Sequence, residues 1–272
     1  MKCGRFSLPL DRPLVMGVVN VTPDSFSDGG QFLDRNAAIA HAARLVEDGA
    51  DIVDIGGESS RPGALPVSEE EELGRILPVL EGLGGLPKPI SVDTRRPRVM
   101  REALRAGASM INDIEALTVP GALEAVAASG CGVCLMHKKG EPGTMQQAPH
   151  YDDVVGEVFG FLEQRIIECE KAGIARERIA ADPGFGFGKT AGHNLELLRH
   201  LKQFSRLGVP VLAGWSRKST LGAITGRPVG ERLAASLAMA LLSLQGGATI
   251  VRVHDVKETR DVIAVWQAWR GA

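Results

Sequence analysis

Polar side chains that can hydrogen-bond a small molecule recur in this sequence at the ends of short apolar runs. Four of them carry carboxylate, amide or ammonium groups: Asp93, Asn112, Asp182 and Lys218. A carboxylate can accept two adjacent N–H groups of an amino-oxo ring, while Asn and Lys can donate to ring nitrogens and oxygens. Each residue alone is also compatible with a turn, a helix cap or a buried ion pair. Together they indicate a pocket for a flat nitrogen heterocycle.

A second group of side chains would suit an anion. It consists of Arg61, Arg252 and His254, with the amide residue Asn20 at the end of another run. Arg252 and His254 are two residues apart, so their side chains would face the same way on a strand. Isolated surface arginines are usually solvated, but an anion pocket beside a heterocycle pocket indicates a phosphorylated heterocyclic substrate.

Two further motifs resemble catalytic signatures but lack required residues. The segment Asp182–Thr190 ends in Gly-Lys-Thr after an apolar run, yet Pro183 stands where a phosphate-binding P-loop has its first glycine. Gly214-Trp-Ser216 resembles a nucleophile elbow, yet Lys218 stands where that motif requires glycine. We therefore predict neither a P-loop nor a serine nucleophile, although the glycines after Asp182 indicate a close approach of the backbone to some neighbour.

Eight short apolar, β-branched runs lead into the polar residues and predict buried parallel strands. The runs are Leu14–Val19, Asp51–Ile55, Ile90–Val92, Met110–Ile111, Val133–Met136, Ile179–Ala181, Val209–Ala213 and Thr249–Val251. The chain has 272 residues, and a (β/α)8 barrel typically has about 250. The predicted fold is therefore α/β, a single (β/α)8 TIM barrel with its site at the carboxyl ends of the strands.

Segments with helical periodicity separate the predicted strands. The predicted helices are Asn36–Asp48, Ser68 to about Leu83, Pro97–Ala106, Gly121–Ser129, Asp152–Ala172, Leu195–Phe204, Gly230–Leu244 and Lys257–Trp269. Long non-helical stretches follow the first, second and fifth strands, at Val21–Phe32, Ser59–Val67 and Lys138–His150, where substrate loops belong. No Pro/Ser-rich linker or charge block divides the chain, so we predict one domain over residues 1–272.

The composition argues against several classes of protein. Lys and Arg total 31 against 33 Asp and Glu, and only 4% of residues are aromatic, which argues against a nucleic-acid partner. Four cysteines (Cys3, Cys131, Cys134, Cys169) are too few and too irregular for a disulfide framework, and we interpret Cys131 and Cys134 as core residues.

One uncharged stretch has nearly the length of a membrane span. Leu233–Val251 covers 19 residues, but Gln245-Gly246-Gly247 divides it, so a helix, a turn and a strand are the better interpretation. Met1–Arg12 lacks the unbroken apolar core of a signal peptide. We expect a soluble, cytoplasmic protein with no membrane partner.

The chain resembles the dihydropteroate synthase family in motifs that cover essentially its whole length. Asn20–Gly30 resembles the first signature of that family and Gly56–Gly63 the second. The remaining matches follow in order at Ser91–Thr94, Ile111–Asp113, Asp182–Lys189, Ser216–Ser219 and Arg252–His254. The resemblance implies the same barrel and an enzyme that joins p-aminobenzoate to 6-hydroxymethyl-7,8-dihydropterin diphosphate, releasing pyrophosphate and 7,8-dihydropteroate.

The resemblance also implies a role for each site residue. Asp93, Asn112, Asp182 and Lys218 would bind the pterin, and Asp93, Lys218 and Arg252 would be catalytic. Asn20, Arg61, Arg252 and His254 would bind the diphosphate, and Asn20 would also ligate the implied cofactor Mg²⁺. Ser60, Pro62, Phe187, Ser216 and Lys218 would line the p-aminobenzoate side. No protein nucleophile is needed, because loss of pyrophosphate leaves a carbocation-like methylene that the amine attacks.

Four positions depart from the family's usual pattern. Ser60 stands where Thr is more frequent, Glu115 where an aromatic or small residue is frequent, and Lys138-Lys139 is more basic than usual. None removes a substrate-binding group, and His137, at the end of the fifth run, has no assigned role.

Two alternatives remain at this point. One is a methyltetrahydrofolate–corrinoid methyltransferase, which needs no diphosphate pocket, so that Arg61, Arg252 and His254 argue against it. The other is a non-catalytic pterin-binding paralogue, which would lack some of the site residues. The family resemblance further implies a homodimer.

Overall fold

The protein begins with a short hairpin and continues as a ring of parallel strands. The computed structural model describes residues 1–21, 30–58, 66–141 and 143–271, with the backbone alone for residues 30–34. Strands β1 (Lys2–Cys3) and β2 (Phe6–Ser7) pair antiparallel. This hairpin was not predicted, because two-residue strands show no periodicity.

Eight parallel strands form the ring. They are β3 (Leu14–Asn20), β4 (Ile52–Gly56), β5 (Ile90–Asp93), β6 (Met110–Asp113), β7 (Gly132–Met136), β8 (Ile179–Asp182), β9 (Leu212–Ala213) and β10 (Ile250–Val253). Hydrogen-bonded neighbours follow the order β8-β7-β6-β5-β4-β3-β10-β9. A parallel bridge between Ala181 and Val211 joins β8 to the residues before β9, supported by an N–H···O bond of 2.9 Å from Ala181 to Pro210. The sheet therefore closes on itself, which confirms the predicted fold class.

Helices surround the strands. They are α1 (Gly30–Glu47), α2 (Glu69–Gly82), α3 (Pro97–Arg105), α4 (Ala122–Ala127), α5 (Val154–Lys171), α6 (Ala191–Arg199), α7 (Ser219–Thr225), α8 (Leu233–Gln245) and α9 (Val256–Gly271). Ser68 caps α2 by accepting the Glu71 N–H at 3.1 Å, as its sequence predicts. Helix α1 begins before the predicted Asn36. Helix α7 was not predicted, since seven residues are too few to show a helical period.

The two faces of the strands have different packing partners. Inward side chains at the strand starts, among them Leu14, Ile52 and Ile250, pack with Met1 and Cys3 of the hairpin in one apolar cluster. Outward side chains pack against the helices in a second, larger cluster. The hairpin thus covers the amino end of the barrel with apolar side chains, which leaves the polar side chains at the carboxyl end.

The cysteines behave as predicted for core residues. Cys134 belongs to the interior cluster and Cys131 to the outer one, so the two side chains point to opposite faces of the sheet. Both are buried and reduced, and burial raises the pKa of each thiol. These thiols are therefore not poised for redox chemistry.

A buried carboxylate at the amino end of β4 ties the barrel to the last helix. Asp51 accepts hydrogen bonds from Arg12 Nη2 (2.8 Å), from the Val15 N–H (2.9 Å) and from Arg260 of α9. Burial alone raises the pKa of Asp51, but the bonds from Arg12 and Val15 outweigh burial and hold that pKa below its usual value. Asp51 is thus an ionised structural anchor far from the polar end of the barrel.

The uncharged stretch from Leu233 folds as expected, into α8, a glycine turn and β10. Among the helices in the described ranges, none is long and apolar enough to cross a membrane.

Candidate active site

Polar side chains from four strands meet inside the carboxyl end of the barrel. The Arg252 guanidinium on β10 donates from Nε to Asp54 Oδ2 (2.7 Å) and from Nη2 to Asp93 Oδ2 (2.9 Å). Asn112 on β6 donates from Nδ2 to the same Asp54 oxygen (3.1 Å). Three residues predicted from the sequence, Asp93, Asn112 and Arg252, are therefore close together. Asp54 on β4 joins them and was not predicted.

Burial controls the charges in this cluster. It raises the pKa of Asp93 to about 7, because the lowering effect of Arg252 is smaller and Asp54 adds a repelling charge. Burial lowers the pKa of Arg252, but the carboxylates Asp54 and Asp93 outweigh it and raise that pKa, so the guanidinium stays charged. Asp93 can therefore change its protonation state near neutral pH while its partner remains a cation.

Asp182 and Lys218 extend the polar lining. Burial raises the pKa of Asp182, opposed by the Lys218 charge, and burial lowers the pKa of Lys218 to about 8, opposed by Asp182. The Lys218 ammonium also donates to the Phe185 carbonyl oxygen and lies 4.5 Å from the centre of the Phe187 ring. The structure thus places Phe187 beside Lys218, and the assignment of both residues to p-aminobenzoate stays a prediction.

The loop after β8 passes so close to β7 that it requires glycine. Gly184, Gly186 and Gly188 have φ angles of +68°, +81° and +61°. A Cβ atom on Gly184 would lie 1.8 Å from the His137 carbonyl oxygen, and one on Gly188 would lie 2.0 Å from the Lys139 carbonyl oxygen. Gly184 and Gly188 therefore approach the chain at the end of β7, whereas a Cβ atom on Gly186 would lie 3.1 Å from the Lys218 side chain.

Lys189 fastens this loop to the end of β7. Its buried Nζ lies 2.9 Å from His137 Nδ1 and 3.0, 3.2 and 3.3 Å from the carbonyl oxygens of Gly184, Phe187 and His137, so its three N–H groups are shared among four acceptors. Burial, followed by the Lys189 charge, lowers the pKa of His137 to about 2, so its imidazole is neutral and Nδ1 accepts. Burial also lowers the pKa of Lys189. His137 thus has a structural role: it holds the loop that carries Phe187.

Ser216 and His254 form a pair across the loop after β9 and the end of β10. Ser216 Oγ lies 2.9 Å from His254 Nδ1 and accepts the His254 backbone N–H at 3.2 Å. Between Ser216 and Lys218, Arg217 adopts a φ of +60° and is held by Asp255 Oδ1 at 2.6 Å. The resulting turn places residues predicted for p-aminobenzoate and for diphosphate next to each other.

Arg96 connects the two chain segments that flank residues 59–65. Its guanidinium donates to Glu58 Oε1 (3.3 Å), to the Val67 carbonyl oxygen and to Glu72, which has no exposed side-chain surface. Burial raises the pKa of Glu72, with bonds from Thr94 and Arg96 opposing it. Ser60, Arg61 and Pro62 lie outside the described residues, so their roles stay predictions.

Two departures from the family pattern pair with each other. Lys138 Nζ lies 2.9 Å from Glu115 Oε1, and both side chains are largely buried. Lys139 Nζ donates to Glu157 Oε2 (3.0 Å) and to the His150 carbonyl oxygen (2.8 Å). These contacts of Lys138 and Lys139 therefore tie the loop after β7 to Glu115 and Glu157.

The sheet register brings Asn20 into the same region. Asn20 pairs with Gly56, and Gly56 pairs with Asp93, so the three residues form one row across β3, β4 and β5.

Three residues of this region were not predicted from the sequence: Asp54, Arg96 and Lys189. Asp54 had a detectable signal, since it is an acid inside an apolar run, two residues after Ile52, whose side chain faces the barrel interior.

Known proteins resemble this chain over almost its whole length. The family described as pterin binding enzyme matches residues 16–254. The dihydropteroate synthase of Escherichia coli strain K12 is 51% identical over 263 residues, which cover 96% of this chain and 93% of that protein. The solved structure of Xanthomonas albilineans dihydropteroate synthase with 4-aminobenzoic acid has a TM-score of 0.92 and 55% identity, covering 97% of this chain and 96% of that one. The structure of the X. albilineans enzyme in complex with 7,8-dihydropteroate has a TM-score of 0.86 and 50% identity, with the same coverage.

Together, the barrel, its polar mouth and these similarities define the class: the chain belongs to the pterin-binding enzymes. Within that class its family is the dihydropteroate synthases, as the sequence motifs predict. The similarities give no support to the corrinoid methyltransferase alternative.

Proposed function

We propose that this protein joins p-aminobenzoate to 6-hydroxymethyl-7,8-dihydropterin diphosphate, forming 7,8-dihydropteroate and pyrophosphate. The observation that carries the proposal is the largely buried group of Asp93, Asn112 and Arg252, with Asp182 and Lys218 beside it. It supplies carboxylate acceptors and amide and ammonium donors for an amino-oxo heterocycle next to a fixed cation. The similarity to dihydropteroate synthases agrees with this chemistry.

The pterin would occupy the carboxylate-rich part of the mouth. Asp182 and Asp93 would accept ring N–H groups, and Asn112 and Lys218 would donate to ring acceptors. Arg252 has five N–H donors, and its bonds to Asp54 and Asp93 use two of them. The others can bind a diphosphate oxygen without releasing the carboxylates.

p-Aminobenzoate would lie near the loop after β8 and the turn after β9. Phe187 offers a ring face, and Lys218 and Ser216 offer donors beside it. We assign Ser60 and Pro62 to this side from the family resemblance, and Arg61 together with His254 to the diphosphate.

The reaction breaks the bond between the pterin methylene carbon and the bridging oxygen, and pyrophosphate leaves with the electron pair. Arg252 stabilises the charge that develops on the departing group. The carbocation-like methylene conjugates with the pterin ring, and the Asp93 carboxylate stabilises it electrostatically. The amine of p-aminobenzoate attacks, forms the C–N bond and then loses a proton. The amine itself supplies the electron pair of the new C–N bond, so no covalent enzyme intermediate is required.

We further propose that the diphosphate carries Mg²⁺, held on the protein side by Asn20. Within the ranges described, no group of three or more His, Cys, Asp or Glu side chains could hold a metal ion. The Asn20 amide oxygen is a hard donor of the kind that Mg²⁺ prefers, and Mg²⁺ usually completes its shell with substrate phosphates and water. When bound, the ion neutralises charge on the leaving pyrophosphate. Calorimetric titration of pyrophosphate with and without Mg²⁺ should show tighter binding with the ion, and Asn20→Ala should reduce that difference.

We also propose that the protein is a cytoplasmic homodimer. The family resemblance implies the dimer, and exposed apolar side chains on α7, α8 and α9 support it: Ile224, Leu233, Leu242, Val265 and Trp269. The mass of one chain is 28.9 kDa, and light scattering should give twice that value. A monomer at all concentrations would contradict the proposal.

The reaction itself is tested by substrate dependence. Purified protein should release pyrophosphate only when both substrates and Mg²⁺ are present. Asp93→Asn and Arg252→Ala should each lose most turnover, with the circular dichroism spectrum of the folded protein retained. A well-folded wild-type protein without turnover would refute the proposal, as would full activity of both variants.

A further inference from the structure

Asp54 lies in the barrel interior where it can act on two site residues at once. Its side chain has no exposed surface. The single atom Oδ2 accepts Arg252 Nε–H at 2.7 Å and Asn112 Nδ2–H at 3.1 Å. Strand β4, which carries Asp54, lies two strands away from β6 on one side and from β10 on the other. One carboxylate oxygen therefore ties together side chains from opposite sides of the mouth.

The other oxygen of Asp54 distinguishes it from the structural carboxylates Asp51 and Asp113. Asp113 uses both oxygens, which accept the Glu115 and Leu117 N–H groups at 2.8 Å each, and both Asp51 oxygens are also bonded. Asp54 Oδ1 is buried and has no hydrogen-bond partner among the described residues. A buried acceptor without a partner costs free energy. The contacts of Asp54 go to site residues and not to the backbone.

We propose that Asp54 is a positioning residue of the reaction, which holds the Arg252 guanidinium for the diphosphate and the Asn112 carboxamide for the pterin. The inference rests on the proposed function for the identity of the two ligands. Asp54 fixes Nε of Arg252 while Asp93 fixes Nη2, so the plane of the guanidinium is set before substrate arrives. The shared oxygen also means that Asn112 cannot rotate without losing its bond to the carboxylate that orients Arg252.

The test separates positioning from a general effect on folding. Asp54→Ala removes both hydrogen bonds, and Asp54→Asn keeps an acceptor oxygen but removes the charge. The matched control is Asp51→Asn, which changes a buried, ion-paired aspartate just before the same strand at the opposite end of the barrel. For each protein, calorimetry would give the dissociation constants of inorganic pyrophosphate and of 6-hydroxymethylpterin, and thermal denaturation would give the melting temperature.

In Asp54→Ala, both dissociation constants should rise about 10- to 100-fold, as expected for loss of a hydrogen bond to a charged partner. Asp54→Asn should restore pterin binding to within about threefold of wild type, because Asn112 keeps an acceptor, but pyrophosphate should stay about tenfold weaker. In steady-state assays, the KM of p-aminobenzoate should be unchanged in Asp54→Asn. Asp51→Asn should lower the melting temperature and leave both dissociation constants unchanged.

Wild-type dissociation constants in Asp54→Asn and Asp54→Ala would overturn the inference. The same holds if Asp51→Asn weakens both ligands as much as the Asp54 variants do, since the effect would then be general. If Asp54→Ala does not fold, the split between the two ligands in Asp54→Asn still decides. Failure of the proposed function would appear separately, as absent turnover in the wild-type protein, because the binding measurements need no reaction.

Discussion

Replacing Lys189 by methionine tests whether one buried side chain holds the loop that carries Phe187. Methionine is apolar and flexible and fills a similar volume, so the change removes the donor with little change in packing. Four acceptors at the end of β7 and in the loop, all within 3.3 Å of Lys189 Nζ, would lose the donor that they share. The loop would then be held by its remaining contacts, among them the bond from the Tyr151 hydroxyl to the Gly188 carbonyl oxygen (3.0 Å).

The two shortest contacts, at 2.9 and 3.0 Å, set the magnitude of the effect. A hydrogen bond from a charged donor contributes about 1.5–3 kcal/mol, which gives roughly 3–6 kcal/mol for the pair. Methionine avoids the desolvation of a buried ammonium, an offset of several kcal/mol. We expect the free energy of unfolding to fall by about 2 kcal/mol, which corresponds to roughly 4–8 °C in melting temperature.

The assay combines thermal denaturation with steady-state kinetics. Because Phe187 and the Phe185 carbonyl oxygen beside Lys218 belong to this loop, the KM of p-aminobenzoate should rise about tenfold. The control is Lys202→Met, at an exposed position, which should change neither quantity. An unchanged melting temperature together with an unchanged KM would refute the reasoning.

Three further predictions follow from the same geometry. The kcat/KM for the pterin diphosphate should rise with pH as Asp93 ionises, with a pKa of about 7, and fall as Lys218 loses its proton, with a pKa of about 8. A flat pH profile across this range would contradict the assigned roles. Arg96→Ala should raise the KM of p-aminobenzoate about tenfold while pterin binding is unchanged, because the arginine joins the residues flanking 59–65. Equal weakening of the binding of both substrates would argue against this. Gly184→Ala should prevent folding or greatly lower the melting temperature, because its Cβ would lie 1.8 Å from a carbonyl oxygen. The control Gly143→Ala has open space around it and should leave the melting temperature unchanged. Similar melting temperatures for the two variants would show that the loop can relax.

The sequence was informative about this fold because a parallel barrel has a simple pattern. Each strand is buried on both faces, so it appears as an apolar run, and its carboxyl end appears as an abrupt polar residue such as Asp93 or Asp182. The shared location of these ends follows from the closure of the sheet. The cluster of Asp93, Asn112 and Arg252 could therefore be predicted before any distance was known.

Other site residues could not be predicted, because their roles depend on contacts distant in the chain. His137 stands at a strand end like the others, but its neutral state follows from burial and from Lys189, 52 positions later. Arg96 is one basic residue among many until the fold places it between Glu58 and Val67. Asp54 is detectable as an acid inside an apolar run, but its role appears only when the fold brings Arg252 and Asn112 to it.

The central claim is that the bond between the methylene carbon and the bridging oxygen breaks and that the p-aminobenzoate amine takes the place of pyrophosphate. The most direct test uses pterin diphosphate that carries oxygen-18 at the oxygen joining the methylene carbon to the first phosphorus. Mass spectrometry of the products then locates the label. We predict that the label is found in pyrophosphate and that one 7,8-dihydropteroate forms for each pyrophosphate released. Label retained on 6-hydroxymethyl-7,8-dihydropterin, or pyrophosphate released without 7,8-dihydropteroate, would contradict the claim.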